Sequence, residues 1–387
     1  MSIELEWPRD DMVLDRINKN SDYIVEILNS EDLPVEFYRY SSYYFDAASS
    51  IMKYLVEIAS KRGDIAKLDL WYFPMTYLYR HSFELLIKAN IFKKVITINE
   101  RITAVKEVRH NLKAGFKKIL EFNNLEKNSE SVWVMEFLTD ISLMDRESDM
   151  FRYPFNNRKE VLFDKQVSTS LLETQITMNK AYDALVRIYN SGILGEMDNK
   201  NKRYISKLVI EDRDYYKKSV LGYKISRYSF VPYFRAYNEV GNFFRNKIIE
   251  ENSKNLFLPM CYVYRNAIEL GLKSILWKNG CKTEEETLKI LKRKKHSLLG
   301  LWNSIPDEIK ENSTNIENKE YQNVTQYIEQ LHNLDTVSSL FRYPCDSNLK
   351  IYFKQKKKLD AENVAISLSE LCNYLDAVDD HMEYINS

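Results

Sequence analysis

The chain has 387 residues, 44% hydrophobic and 29% charged, enough for packed cores and a solvated surface; this excludes a disordered chain, a collagen-like repeat and a small disulfide scaffold. Gly (9) and Pro (8) make up about 4% of the chain against roughly 12% in average usage. That is too few for the turns of a sandwich or barrel, so an all-α class is expected. Lys+Arg (56) equals Asp+Glu (56), so no global field draws in nucleic acid or an anionic membrane.

The acidic start, Met1 to Asp11, lacks the apolar stretch of a signal peptide. No apolar run approaches the length of a membrane span; the longest, Leu256 to Tyr264, contains Pro259. A cytoplasmic protein without membrane contact is therefore expected. Residues 1–32 read as an N-terminal helical extension capping a first set of helices. Periodicity predicts that set over 36–62, 72–93, 108–124, 131–146 and 167–190. Beyond a linker at 193–221, further helices are expected over 225–250, 257–278, 296–303, 318–334 and 360–384. Arg152-Tyr153-Pro154 and Arg342-Tyr343-Pro344 end the fourth helix of each set, because Pro disfavours helical geometry in the residue before it. After each stop, the segments 160–165 and 350–355 read as short extended pieces, one hairpin per set. Cys261, Cys281, Cys345 and Cys372 form no Cys-x-x-Cys pair and complete no zinc pattern, so reduced buried thiols and no metal or other cofactor are expected.

The two sets are copies of one another. Pro74 to Lys88 recurs as Pro259 to Lys273, with eight of fifteen positions identical at an offset of 185. Asp145 to Pro154 recurs as Asp335 to Pro344, with six of ten identical at an offset of 190. Between them His110 pairs with His296, and upstream Tyr44, Phe45 and Ala47 pair with Tyr233, Phe234 and Ala236. Conserved order with a slowly drifting offset is the mark of a tandem duplication, with repeats at 33–192 and 222–387.

The duplicated residues carry the candidate chemistry. Arg80, Glu84 and Lys88 are spaced by four on one helical face, and Arg265, Glu269 and Lys273 repeat them. On a solvated face such a ladder is worth a few tenths of a kcal/mol per pair and drifts easily. Its retention implies fixed partners: a buried network or a ligand site. His81, beside Arg80, has Asn266 as its counterpart. Arg152 and Arg342 offer planar five-donor forks suited to phosphate or carboxylate, or to helix-end carbonyls. His110 and His296 each lie beside a basic run, which lowers the pKa of an imidazole and suits it to act as a base. His332 and His381 have no counterparts and read as surface residues.

No Walker-type loop, dinucleotide fingerprint, zinc-protease motif or nucleophile elbow occurs. Histidine and arginine without a metal site suit phosphodiester cleavage by 2′-OH attack, with the imidazole moving the proton and cations offsetting phosphorane charge.

Two helical copies, each with an Arg-(His/Asn)-x-x-Glu-x-x-x-Lys helix, a following His and Phe-Arg-Tyr-Pro, resemble the HEPN superfamily over about four-fifths of the chain. The resemblance implies two tandem bundles that pair as an intramolecular pseudo-dimer with polar residues at the shared interface. It also implies RNA or a nucleotide as ligand, with metal-independent ribonucleases of prokaryotic toxin–antitoxin and antiviral defence systems among its members, and others that bind protein partners. The family's nuclease signature is an Arg, four to six residues, then a His. Here Arg80 and His81 are adjacent, as are Arg109 and His110, and Arg293 precedes His296 by three. Expected roles are proton transfer for His110, His296 and His81, and phosphate or ligand binding for Arg80, Glu84, Lys88, Arg152, Arg265, Glu269, Lys273 and Arg342. The competing expectation is a non-catalytic interaction or scaffold protein in which the same charges form structural salt bridges.

Overall fold

A computed structural model of the protein describes residues 6–386 apart from 19, 126–127, 146, 157, 162, 164, 196–204, 212–213, 215–216, 223–227, 279–281 and 308–318. The described chain is mostly helical, with two small two-stranded sheets. In the first half β1 (Ile24–Ile27) leads into α1 (Leu33–Ser60), α2 (Ile65–Leu70), α3 (Tyr72–Lys94), α4 (Ile98–Val108), α5 (Leu112–Asn123) and α6 (Ser129–Met144). It closes with β2 (Val167–Ser170) and α7 (Leu171–Ser191). The second half runs β3 (Lys218–Leu221), α8 (Val231–Glu251), α9 (Phe257–Lys278), α10 (Glu284–Lys294), α11 (Leu298–Trp302), α12 (Lys319–Leu334), β4 (Lys357–Asp360) and α13 (Ala361–Asn386).

Helix α3 is the axis of the first half. Every residue from Tyr72 to Phe92 is buried, so its charged stripe faces protein rather than water. Helix α9 repeats this, buried from Phe257 to Leu276. α1 packs along α3 and α8 along α9, and small residues set the closest approach. A Cβ on Gly241 of α8 would lie 2.7 Å from the Tyr264 ring of α9. Ala48 is fully buried in the matching place on α1.

This corrects the upstream repeat register. Tyr44 donates to the Phe341 carbonyl at 3.1 Å, and Tyr237, rather than Tyr233, makes the matching bond to Phe151 at 3.1 Å. The true partner of Tyr44 is one helical turn beyond the residue that sequence identity selects. Elsewhere the duplication reaches down to backbone conformation. Arg109 and Lys295 (φ 47° and 51°), Ser148 and Ser338 (φ 65° and 61°) and Lys159 and Leu349 (φ 62° and 61°) adopt matching positive φ values.

The helical expectation for residues 1–32 is not met by the described residues there. Pro8 and the acidic pair Asp10-Asp11 disfavour a helix, and residues 6–18 run irregularly across the second half instead of capping the first. The Arg9 amide donates to Tyr327 Oη at 3.1 Å, the Leu14 amide donates to Gln330 Oε1 at 2.9 Å, and Arg9 pairs with Glu370 at 2.6 Å.

The expected hairpins are also replaced. Each post-proline loop holds a single antiparallel bridge, Phe155 with Val161 and Cys345 with Ile351. The strands proper pair between halves: Ile24–Ile27 with Lys357–Asp360, and Val167–Ser170 with Lys218–Leu221 from the end of the expected linker. Four-residue strands are too short to stand alone as hairpins, so each finds its partner where the two halves meet. α4 and α10, absent from the periodicity reading, carry repeated capping boxes, Thr97 with Glu100 and Thr283 with Glu286. Cys261, Cys345 and Cys372 are buried thiols outside any disulfide, and Cys281 lies outside the described residues. No helix among the described residues is long and apolar enough to cross a membrane.

Candidate functional site

Both halves build the same centre around one buried carboxylate. In the first, Glu84 accepts from Arg80 Nη1 at 3.1 Å, Lys88 Nζ at 2.7 Å and His110 Nδ1 at 3.0 Å. Spacing by four stacks Arg80, Glu84 and Lys88 along α3, while His110 arrives from the turn between α4 and α5. Arg80 also donates to the carbonyls of His110 (2.7 Å) and Asp145 (3.2 Å), and its Nε lies 3.0 Å from Asp145 Oδ2 as an ion pair. In the second half Glu269 accepts from Arg265 (2.7 Å), Lys273 (2.7 Å) and His296 Nδ1 (3.0 Å). Arg265 reaches the His296 carbonyl at 2.6 Å and Asp335 at 3.4 Å.

Each centre is completed from the opposite half. Tyr343 donates to Glu84 at 2.7 Å, and Tyr153 donates to Glu269 at 2.7 Å. Lys88 lies 4.7 Å above the Tyr343 ring and Lys273 4.2 Å above that of Tyr153, each ammonium facing a π cloud. The whole Phe-Arg-Tyr motif crosses over: the Phe carbonyl takes the bond from Tyr44 or Tyr237, and the Tyr hydroxyl reaches the glutamate. The proline after it ends the crossing.

The electrostatics follow from burial and neighbours. Burial alone would raise Glu84, but His110, Lys88 and Arg80 outweigh it and hold its carboxyl well below the usual range. Burial opposes Lys273, His296 and Arg265 at Glu269 in the same way, with the same outcome. Burial keeps the Tyr153 and Tyr343 phenols protonated, so each donates to its carboxylate. Glu269 acts to raise His296, yet burial with the charges of Arg152 and Lys273 prevails and lowers it. The sequence-adjacent basic run is not the cause: Lys292, Arg293 and Lys294 occupy the last turn of α10, where cations meet the carbonyl end of the helix.

Within each centre only the imidazole is substantially open. Side-chain exposure is 39% for His110 and 35% for His296, against 10% or less for Arg80, Glu84, Lys88, Arg265, Glu269 and Lys273. A carboxylate can only accept, so Nδ1 carries the proton and the lone pair of a neutral ring sits on Nε2. Among the described residues Nε2 of neither His110 nor His296 has a hydrogen-bond partner. The backbone is bent to present each ring. Arg109 and Lys295, at positive φ, turn the next residue so that its carbonyl meets Arg80 or Arg265 while its ring meets the glutamate.

The other candidates go elsewhere. His81 is fully buried, donates from Nε2 to the Arg342 carbonyl at 3.0 Å, and is pushed down by burial to about 3. It is a neutral packing residue, not an exposed proton carrier. Arg152 does not join Arg80. It holds its own loop through the Ser148 carbonyl (2.8 Å) and Asp149 (2.6 Å) and stacks 5.5 Å from Tyr77. Arg342 donates to the Ser338 carbonyl at 2.5 Å and to Tyr77 Oη at 3.3 Å. The two guanidiniums flank the stacked Tyr77–Tyr262 pair, whose centroids are 5.0 Å apart. His332 and His381 are half-buried rather than exposed.

Four residues of the centres escape the sequence reading: Asp145, Asp335, Tyr153 and Tyr343. Each lies at an identical position inside the repeated segments, and that identity was their signal. Beside His296 lies a cleft of about 110 Å³, with Asp149, Tyr153, Asn156, Lys273 and Lys295 on its polar side and Phe155 and Phe230 on its apolar side. Among the described residues no group of three or more His, Cys, Asp or Glu side chains is disposed to hold a metal ion. No protein-family model, curated protein or solved structure matches this chain.

Proposed function

We propose that the chain is a tandem HEPN-like protein acting on RNA or a nucleotide as a metal-independent endoribonuclease, its two halves paired as an intramolecular pseudo-dimer. The observation that carries this reading is the glutamate–imidazole pair whose imidazole alone is open, with lysines beside it. A carboxylate on Nδ1 orients the ring and stabilises the imidazolium, leaving Nε2 to take a proton. Nε2 of His296 or His110 removes the 2′-OH proton, the 2′ oxygen attacks the adjacent phosphorus, and the 5′ oxygen leaves with the proton returned by the imidazolium. The products are a 2′,3′-cyclic phosphate and a 5′-hydroxyl, and Lys273 or Lys88 with its neighbours offsets phosphorane charge.

In this scheme Arg80 and Arg265 serve the fold. Both are fully buried and their donors are spent on glutamate, aspartate and carbonyl oxygens. Cleavage of a single-stranded RNA in the presence of EDTA, with a 2′-deoxy control, tests the reading. His110→Ala with His296→Ala is expected to lower the rate at least about 10²-fold. Unchanged cleavage by the double variant overturns the catalytic role. The burial of Arg80, Glu84, Arg265 and Glu269 favours a second reading, a helical scaffold held by salt-bridge networks, and absence of any RNA cleavage selects it.

A further inference from the structure

The duplicated centres differ at their mouths. In the second half the loop residue after Phe155 is Asn156, a neutral amide on the cleft lining. Its counterpart in the first half is Asp346, a carboxylate, and Phe155 is replaced by the small thiol Cys345. The two loops are otherwise built alike. Asn156 Oδ1 accepts from the amides of Arg158 and Glu160, and Asp346 Oδ1 accepts from those of Asn348 and Lys350. The change of charge therefore does not alter the loop.

We propose that the cleft beside His296 is a phosphate-binding site and that the His110 face is not, so that the duplicated protein works with one anion site. The proposal rests on the phosphodiester reading for the identity of the anion. At roughly 30 Å³ per water, a cleft of about 110 Å³ has the room of three to four waters, enough for a tetrahedral oxyanion though not for a base. Lys295 is exposed on its rim, and Lys273 and His296 line it. The carboxylate on the lining, Asp149, is taken up by Arg152 at 2.6 Å. Glu269 is neutralised by Arg265 and Lys273 together with the Tyr153 hydroxyl. The balance left to an incoming anion is positive, and the phenyl faces of Phe155 and Phe230 give one wall low polarity, which strengthens that attraction. In the first half an oxyanion beside His110 meets the Asp346 charge instead.

The five histidines allow a direct measurement on the full chain. Proton NMR of the ring Cε1–H signals is followed against pH with and without inorganic phosphate, and His110→Ala and His296→Ala identify the two resonances. Phosphate is expected to raise the His296 midpoint and leave that of His110 in place, because a bound anion favours imidazolium. Asn156→Asp, which the equivalent loop accommodates, and Lys295→Ala on the rim should each weaken phosphate binding about tenfold. Asp346→Asn should create a response at His110. Equal responses at both histidines, or none at either, overturn the proposal. RNA cleavage separates it from the reading it rests on. Phosphate at His296 in a protein that cleaves no RNA keeps the site and removes the ribonuclease; cleavage lost with His110 but not with His296 does the reverse.

Discussion

Removing Arg80 tests whether the charged stripe of α3 is architecture. Its guanidinium pairs with Glu84 at 3.1 Å and Asp145 at 3.0 Å, and both carboxylates are only 2% exposed. Arg80→Ala strips a cation from these two groups at once and takes the donor from the His110 and Asp145 carbonyls. Glu84 keeps Lys88, His110 and Tyr343, whereas Asp145 keeps only the amides of Asp149 and Met150. Breaking a buried pair from one side costs about 3–5 kcal/mol, since the remaining charge cannot recover its hydration. At roughly 2–4 °C per kcal/mol for a cooperative unit of this size, the melting temperature should fall by about 6–20 °C. Lys61→Ala, which breaks the exposed Lys61–Glu57 pair, is the control and should leave it unchanged. Calorimetry and circular dichroism read both variants. If Arg80→Ala melts within about 2 °C of the parent, the network is not holding the fold, and the stripe is retained for function at the expense of stability.

Four more outcomes are expected from the same contacts. Tyr153→Phe removes the 2.7 Å bond to Glu269 and should cost about 1.5–3 kcal/mol in urea unfolding, as for a hydrogen bond to a buried charge. It should also raise the His296 midpoint seen by NMR, because Glu269 then shares its charge with fewer donors. His81 titrates near its ordinary 6.5 when unfolded and only at about 3 when folded. Its contribution is therefore fully present above about pH 6.5 and lost as pH falls toward 3, at up to about 1.4 kcal/mol per unit. His81→Asn, copying Asn266, should flatten stability against pH in that window, as denaturation midpoints will show. Glu84 and Glu269, held low, act in the same direction below about pH 4.5. Cutting the chain within Asp198–Arg203 should give two pieces that copurify when coexpressed and aggregate when made alone, because both strand pairs and both Tyr–Glu bonds join one piece to the other.

The local features were readable along the chain because they are set by neighbours a few residues apart. Scarce Gly and Pro gave helices, and α3 and α9 begin and end within about a residue of where periodicity predicts them. The repeats, the prolines that end each fourth helix and the Arg–Glu–Lys spacing needed no tertiary information. The capping boxes of α4 and α10 were equally local and went unread. The pairing of His110 with Glu84 could be suspected from their shared repetition, but not its distance or exposure.

What only the tertiary structure decided is which groups face water and which half supplies them. A stripe of charges on a helix looks the same whether it meets solvent or protein. Here α3 is enclosed on every side, and that enclosure turns the stripe into a buried network. Tyr153 is 116 residues from Glu269, and Tyr343 is 259 from Glu84, separations over which no periodicity carries information. The strands behave likewise: a four-residue extended segment has no pairing preference of its own, and Ile24–Ile27 meets Lys357–Asp360 only because the halves pack together. The sequence by itself determined two similar helical units with a repeated set of charged residues. Packing determined that each unit completes the other's centre, and that of each set only one imidazole is left open.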